Sequence, residues 1–260
     1  LTADDGWLTL TGLHWLEPGD NLFGSAPDNT IVLPDPGLPP VAGRLVLTPD
    51  GTVMAIAEPA AKVEVNGEPL AERVLASDAS GTPDVVTVGR FRFHIIDREG
   101  RLAARVKDPE APARRSFAGI EHFPIDPTSK VNARLEPYDE PRRVAIPTVL
   151  GEDTSMLAPG RLRLELHGRE LTLEPYRESP DDTSLFLIFR DATSGDTTYG
   201  AGRFLSAEAP GPDGVTALDF NLAYNPPCAF TPFATCPLPP PQNWLPVPVE
   251  AGEKFSGAAH

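Results

Sequence analysis

The chain is poor in several residue types, and each scarcity narrows the reading. Only two cysteines and two methionines occur in 260 residues. Two cysteines exclude the disulfide-dense scaffolds by which small secreted domains replace a core. There is no CxxC pair and no HxxxH pair, the usual spacings of a zinc site. No apolar run reaches 18 residues, so no transmembrane helix is expected. A signal peptide, a nucleophile elbow of the GxSxG type and a P-loop are all missing. Gly200-Ala201-Gly202 is too short for a nucleotide fingerprint, so neither a metal nor a cofactor is expected. Positive charge is scarce too. Lys and Arg total 22 against 37 Asp and Glu, a net charge of −15. That field repels polynucleotide backbones and anionic lipid, so neither nucleic acid nor membrane is an expected partner. The acidity also has a plain reading as a solubility device. The chain begins at Leu1 rather than Met, which leaves cytoplasm as the default compartment and export as the alternative.

What is abundant is proline, 31 residues. This is about 12% against a usual ~5%, and proline is kept out of helix interiors and central strands, so loops and sheet edges are expected. Nine prolines fall between Pro226 and Pro248, inside or next to the stretch Asp219–Asn243, which also holds both cysteines, Cys228 and Cys236.

Short strands separated by turns run through the first part of the chain. Thr30–Leu33, Arg44–Leu47, Thr52–Ala57 and Lys62–Val65 read as strands, with turn chemistry at Pro34–Gly37, Pro49-Asp50-Gly51 and Asn66-Gly67. Trp7–Leu10 reads as a further strand, and His14, between apolar neighbours, as structural. Strands recurring at this spacing predict a β-sandwich. In Val85–Ile96, Phe91, Phe93 and Ile95 alternate with Arg90, Arg92 and His94, which puts His94 on the polar face. Leu102–Val106 is the next strand. It carries Arg105 and Lys107 on one side, followed by Asp108.

Gly24, Asp28–Leu33, Gly43-Arg44-Leu45 and Val65-Asn66-Gly67 resemble a degenerate forkhead-associated (FHA) domain over Leu22–Val88. The resemblance implies a phosphothreonine reader, with an Arg after the first glycine and a Ser in the next loop. This chain has Ser25 and Ala42-Gly43 there. Without the guanidinium a phosphate loses its main charge-assisted partner, so an FHA-like scaffold lacking phosphothreonine recognition is expected.

Beyond residue 96, Val131–Leu135, Arg142–Ile146 and Thr148–Leu150 read as short strands. Arg161–Leu166 and Glu170–Glu174 form the clearest hairpin, with His167 at its tip. Ser184–Phe189, Thr197–Leu205 and Val215–Phe220 complete the strands. The expected architecture is all-β: an FHA-like sandwich over 1–95, packed on an antiparallel β-unit over 96–260 with a Pro/Cys-rich C-terminal segment. Gly12–Leu16, Arg105–Asp108, Thr198–Phe204, Asp219-Phe220-Asn221, Ala223–Cys228, Cys236–Pro240 and Ala251–Lys254 together resemble DUF1684 over nearly the full length. That is a family of uncharacterised proteins, and the resemblance implies the arrangement of the fold without an activity.

Arg203, Asp219, Asn221, Tyr224 and Asn225 stand beside apolar residues, and buried polar groups need partners. Two arrangements compete. In one, these residues form a buried network that pins the proline-rich segment. In the other they line a pocket for a small anionic molecule. Arg105, Lys107, Tyr199, Arg203, Asn221, Tyr224 and Asn225 would then bind, and Asp219, Asp108 or His122 would act as acid or base, a cofactor-free hydrolase. The alternative function is a non-enzymatic interaction protein on the FHA-like scaffold. Cys228 and Cys236 are open to three states: a disulfide, two buried thiols, or metal ligands with His122. A Cys–His nucleophile pair would use Cys228 and His122.

Overall fold

The computed structural model describes residues 1–177, 179–255 and 257. It is almost entirely β, in two compact units, 1–117 and 118–260.

The first unit contains eleven strands. They are β1 (Leu10–Trp15), β2 (Gly19–Gly24), β3 (Ile31–Val32), β4 (Gly43–Leu47), β5 (Val53–Ala57), β6 (Val63–Val65), β7 (Glu68–Pro69), β8 (Glu72–Leu75), β9 (Val86–Val88), β10 (Phe91–Arg98) and β11 (Arg101–Lys107). They form a six-stranded sheet, β1-β11-β10-β9-β6-β7, and a five-stranded sheet, β3-β2-β4-β5-β8. The period-2 pattern decides the faces. Phe91, Phe93 and Ile95 of β10 and Ala104 and Val106 of β11 meet Phe23, Leu45 and Ala55 of the other sheet in one core. Phe23 and Phe93 touch edge to face across the sandwich, ring centroids 5.4 Å apart. The unit boundary therefore falls after Phe117, not after residue 95. A division at 95 would cut β10 in the middle of its ladder with β11, where Ile95 pairs Ala104. Trp7–Thr9 is a 3₁₀ turn rather than part of a strand.

The second unit holds β12 (Lys130–Pro147), β13 (Asp153–Leu166), β14 (Arg169–Leu173), β15 (Ser184–Phe189), β16 (Arg203–Glu208) and β17 (Val215–Asp219). The sheet β14-β13-β12-β17 is joined by the ribbon β15-β16. Two short strands expected over 131–146 are one long strand, whose register with β13 shifts between Pro137 and Arg142, where Pro137 and Pro141 have no N–H for the ladder. The hairpins at Asn66-Gly67, Glu99-Gly100 and His167-Gly168 have two central residues of positive φ, the turn whose twist matches the flanking strands.

The strand expected over Thr197–Leu205 starts only at Arg203. Gly202 has φ +94°, and a Cβ there would lie 2.5 Å from the Phe189 carbonyl oxygen and 2.6 Å from Pro239 Cγ. The chain turns sharply into β16 at this point, and only glycine fits. The proline-rich segment covers the unit as an extended strip. Leu245, Val247, Val249 and Ala251 are buried in the core, while Trp244, Pro246, Pro248 and Glu250 face out. Each fully buried aliphatic side chain contributes about 1.5–3 kcal/mol.

Candidate functional site

The candidate residues divide between the units. Arg105, Lys107 and Asp108 belong to the first; His122, Tyr199, Arg203, Asp219, Asn221, Tyr224, Asn225, Cys228 and Cys236 belong to the second. The expectation that all of them lie in the second unit is corrected by the ladder that ties β11 into the first unit's six-stranded sheet.

In the first unit, cross-strand pairing sets Arg105 opposite His94 and Lys107 opposite Arg92. The Arg105 guanidinium is buried, 5.5 Å from the centre of the Trp7 ring. Lys107 Nζ donates to the Asp5 carbonyl oxygen, 2.6 Å. Burial, then the charges of Lys107 and Arg105, draws the His94 imidazole down to about 4, with Asp78 opposing. Burial likewise lowers the Lys107 amine. Asp108 takes no part in this group. Both its carboxylate oxygens accept from Arg90 Nε at 3.1 Å, and Arg90 also pairs with Asp35.

In the second unit the centre is Arg203, fully buried at the first position of β16. Its Nη2 donates to Asp191 Oδ2 at 3.0 Å and to the Val249 carbonyl at 2.8 Å. Its Nη1 donates to the carbonyls of Ala251 and Glu253. These carbonyls are at alternate positions of the extended segment, so one guanidinium grips one edge of the strip. Asp191 Oδ1 accepts from Thr193 N and Oγ1 and from Val249 N, at 2.9, 2.6 and 3.1 Å. Among the described residues Arg203 Nε alone of that group has no hydrogen-bond acceptor. Burial lowers the guanidinium pKa and Asp191 opposes the shift.

The other polar residues are also engaged. Asp219 Oδ1 accepts from Asn221 N and Nδ2 at 3.1 and 2.9 Å, capping the 3₁₀ turn Phe220–Leu222. Asn221 lies in that turn, and the cap brings it to Asp219. Asn221 also forms a pair of bonds with the Asp126 backbone, Oδ1 accepting from its N–H and Nδ2 donating to its carbonyl, both 2.9 Å. Asn225 N donates to Glu253 Oε2 and Asn225 Nδ2 to the Lys254 carbonyl. Tyr224 forms a bridge with Phe204, ring centroids 5.8 Å apart, and burial raises its hydroxyl pKa. Tyr199 Oη donates to the Cys228 carbonyl at 3.1 Å, and burial raises its pKa as well.

His122 is exposed. It bridges Glu253 through the backbone, and its Nδ1 is 3.0 Å from the Ile120 carbonyl oxygen. Cys228 is buried, and its contacts are Cys236 and Tyr199, so the Cys228–His122 nucleophile pair is not formed. Cys228 and Cys236 stand as free thiols, and among the described residues no three His, Cys, Asp or Glu side chains group as metal ligands.

Three residues at the heart of this network were not singled out from the sequence. Asp191 is one; Asp-Ala-Thr is turn chemistry, and its side chain makes that turn with Thr193. Glu253 is the second. Asn243 is the third: buried at 0% exposure, it accepts from Glu174 N at 2.7 Å and donates to the Glu174 and Ile188 carbonyls. The usable signal was an amide beside the run Pro239-Pro240-Pro241, which cannot supply its own N–H donors.

Among the described residues, open clefts of about 320, 430, 440 and 380 Å³ lie on the surface, and these four are lined by none of the candidate acids, bases or ligand-binding residues named above.

Residues 115–254 match the family model described as a protein of unknown function (DUF1684), and the chain belongs to that family. Gly12–Leu16 and Arg105–Asp108 lie outside the matched residues. The solution NMR structure of an uncharacterized protein of Haloarcula marismortui is 36% identical, TM-score 0.48, covering 56% of this chain and 82% of its own. The FHA-2 domain of a Mycobacterium tuberculosis ABC transporter is 31% identical, TM-score 0.26, covering 35% and 77%. The FhaA FHA domain, crystallised with the intracellular domain of Rv3910, is 19% identical, TM-score 0.26, covering 36% and 97%. None of the curated proteins matches. No helix among the described residues is long and apolar enough to cross a membrane.

Proposed function

We propose that this chain is a non-enzymatic interaction protein that engages a protein partner through its second unit. One observation carries the reading: Arg203, Asp219 and Asn221, on which a hydrolase site in this unit would draw, are consumed internally. Arg203 is spent on Asp191 and three carbonyls, Asp219 on Asn221, and Asn221 on the Asp126 backbone. That last contact sets the loop carrying Ile125 beside the turn carrying Leu222. At 84% and 66% exposure these are the two most exposed large apolar side chains of the described residues. A surface that presents large apolar groups on a polar, rigid frame suits a partner interface. The test is crosslinked capture by the full chain, comparing wild type with Ile125→Asp and Leu222→Asp, each first checked for an unchanged melting curve. A partner retained by wild type and lost from both variants supports the proposal. A small anionic molecule seen by native mass spectrometry and lost from Asp219→Asn overturns it in favour of a ligand site.

A second reading, a small-anion site on the first unit, is favoured by the two cross-strand pairs Arg92–Lys107 and His94–Arg105. Like charges directly opposite one another, as at Arg92 and Lys107, disfavour a sheet, and a bound anion would offset that cost. Inorganic phosphate should then raise the His94 pKa in an NMR titration. An unchanged titration curve removes this reading.

A further inference from the structure

We infer that Cys228 and Cys236 form a redox-active dithiol, oxidised by peroxide to a reversible disulfide that closes the loop 228–236. Three groups converge in the buried cluster around Ile146, Tyr176, Ile188 and Phe204. Cys228 sits in the 3₁₀ turn Pro227–Ala229, and its backbone N–H donates to Cys236 Sγ at 3.3 Å. Cys236 is held from the other side: its carbonyl accepts from Val149 N at 3.0 Å, and the next residue, Pro237, bridges Thr148. Tyr199 Oη stands at Cys228, donating to its carbonyl. The two cysteines are 6% and 5% exposed, so each thiol has the other as its neighbour and bulky oxidants are kept out.

The electrostatics favour Cys228 as the attacking sulfur. Burial alone would raise its pKa, yet the thiol is held below its ordinary value, first by the hydrogen bond with Cys236 and then by that with Tyr199. The oxidant proposed is hydrogen peroxide. The Cys228 thiolate attacks one peroxide oxygen, an S–O bond forms, the O–O bond breaks, and hydroxide leaves to be protonated as water. The Cys236 sulfur then attacks Cys228 Sγ. The S–S bond forms, the S–O bond breaks, and the departing hydroxide takes the Cys236 proton as a second water. Two thiols lose two electrons in total, and one peroxide is reduced to two waters. A dithiol reductant reverses the change by thiol–disulfide exchange.

The experiment uses the full chain, reduced, freed of reductant and titrated with hydrogen peroxide, then denatured, alkylated and weighed intact. The expected result is a mass loss of about 2 Da, with no alkylation at either cysteine until dithiothreitol is added and a linked peptide joining Cys228 to Cys236. In Cys236→Ala the same treatment should leave a Cys228 sulfenic acid, trapped by dimedone, which wild type does not accumulate. Persistent gain of about 16 or 32 Da in wild type, or two alkylatable thiols after peroxide excess, overturns the inference, and the wild-type measurement decides it even if the variant does not fold.

Discussion

Arg203 and Asp191 form a fully buried ion pair, 3.0 Å between Nη2 and Oδ2, with side-chain exposures of 0% and 1%. The pair joins the start of β16 to the turn after β15, and both partners also hold the strip that ends in Glu253. Its consequence is a sharp asymmetry between removing one partner and keeping both. Arg203→Met leaves the buried Asp191 carboxylate without its cation, with Oδ2 losing its Arg203 donor, and three carbonyls without the guanidinium. The expected cost is about 3–5 kcal/mol, because the remaining charge stays desolvated. Asp191→Asn leaves the Arg203 charge buried and sets an amide NH2 against donors that Asp191 accepts from, so it should cost about as much. The measurement is urea unfolding followed by Trp244 fluorescence in a Trp7→Phe, Trp15→Phe background, since Trp244 is then the sole tryptophan. A cost below about 1 kcal/mol for either variant would mean that the charge pairing contributes little.

Gly202→Ala tests whether the turn into β16 is over-determined. The residue has positive φ, and the new Cβ would meet Phe189 O at 2.5 Å, a backbone atom that cannot swing aside. The strain at φ +94° adds to the clash. The expected loss is about 3 kcal/mol or more in the same unfolding assay. Gly200→Ala, with its nearest neighbour at 3.6 Å, should be nearly neutral and serves as the control.

The strands were legible wherever period-2 alternation was unbroken. β4, β10, the β13–β14 hairpin and β15 stand where the alternation puts them. Legibility failed where long-range contacts overrode local pattern. The pattern Thr197–Leu205 reads as a strand, but the Cβ-free space at Gly202 is set by Phe189 and Pro239, which no local window contains. The candidate site shows the same limit. Their apolar neighbours mark Arg203, Asp219 and Asn221 as polar groups needing partners. Those neighbours do not tell a pocket from a network, since that depends on residues as distant as Asp126 and Glu253. Arg105, Lys107 and Asp108 were assigned to the wrong unit because the ladder between β10 and β11 sets the boundary.

Phosphothreonine peptides should not bind the first unit. Ser25 stands where an FHA domain carries its Arg, and its hydroxyl donates to the Leu38 and Pro39 carbonyls at 2.9 and 3.1 Å. The neighbouring Arg44 lies within ion-pair distance of Asp20 and Glu58. With no guanidinium at the FHA position, the expected Kd for a phosphothreonine peptide there is above about 1 mM by fluorescence anisotropy. A tighter phosphate-dependent complex would require a different cationic group to serve.

The first unit should lose stability as pH falls below neutrality, with His94 as a principal cause. Its folded pKa is near 4, against 6.5 for the ordinary imidazole. The unfolded chain therefore binds a proton between those values that the folded chain refuses. The neutral form contributes fully above pH 6.5, and the contribution is lost as pH falls from 6.5 toward 4. His14, also lowered by burial, acts in the same direction. The groups acting on His94 are Lys107, Arg105 and Arg98, which disfavour its proton, and Asp78, which favours it. Because the ring is partly solvated, the full shift is discounted for screening to about 1–2 kcal/mol. The measurement is the unfolding free energy at pH 6.5 and 5.0, a window above most carboxylate titrations, for wild type and His94→Gln. Wild type should lose stability across the window and His94→Gln should lose less, the difference being the His94 share. Parallel slopes would mean that the imidazole is protonated in the folded sheet at neutral pH as readily as in water.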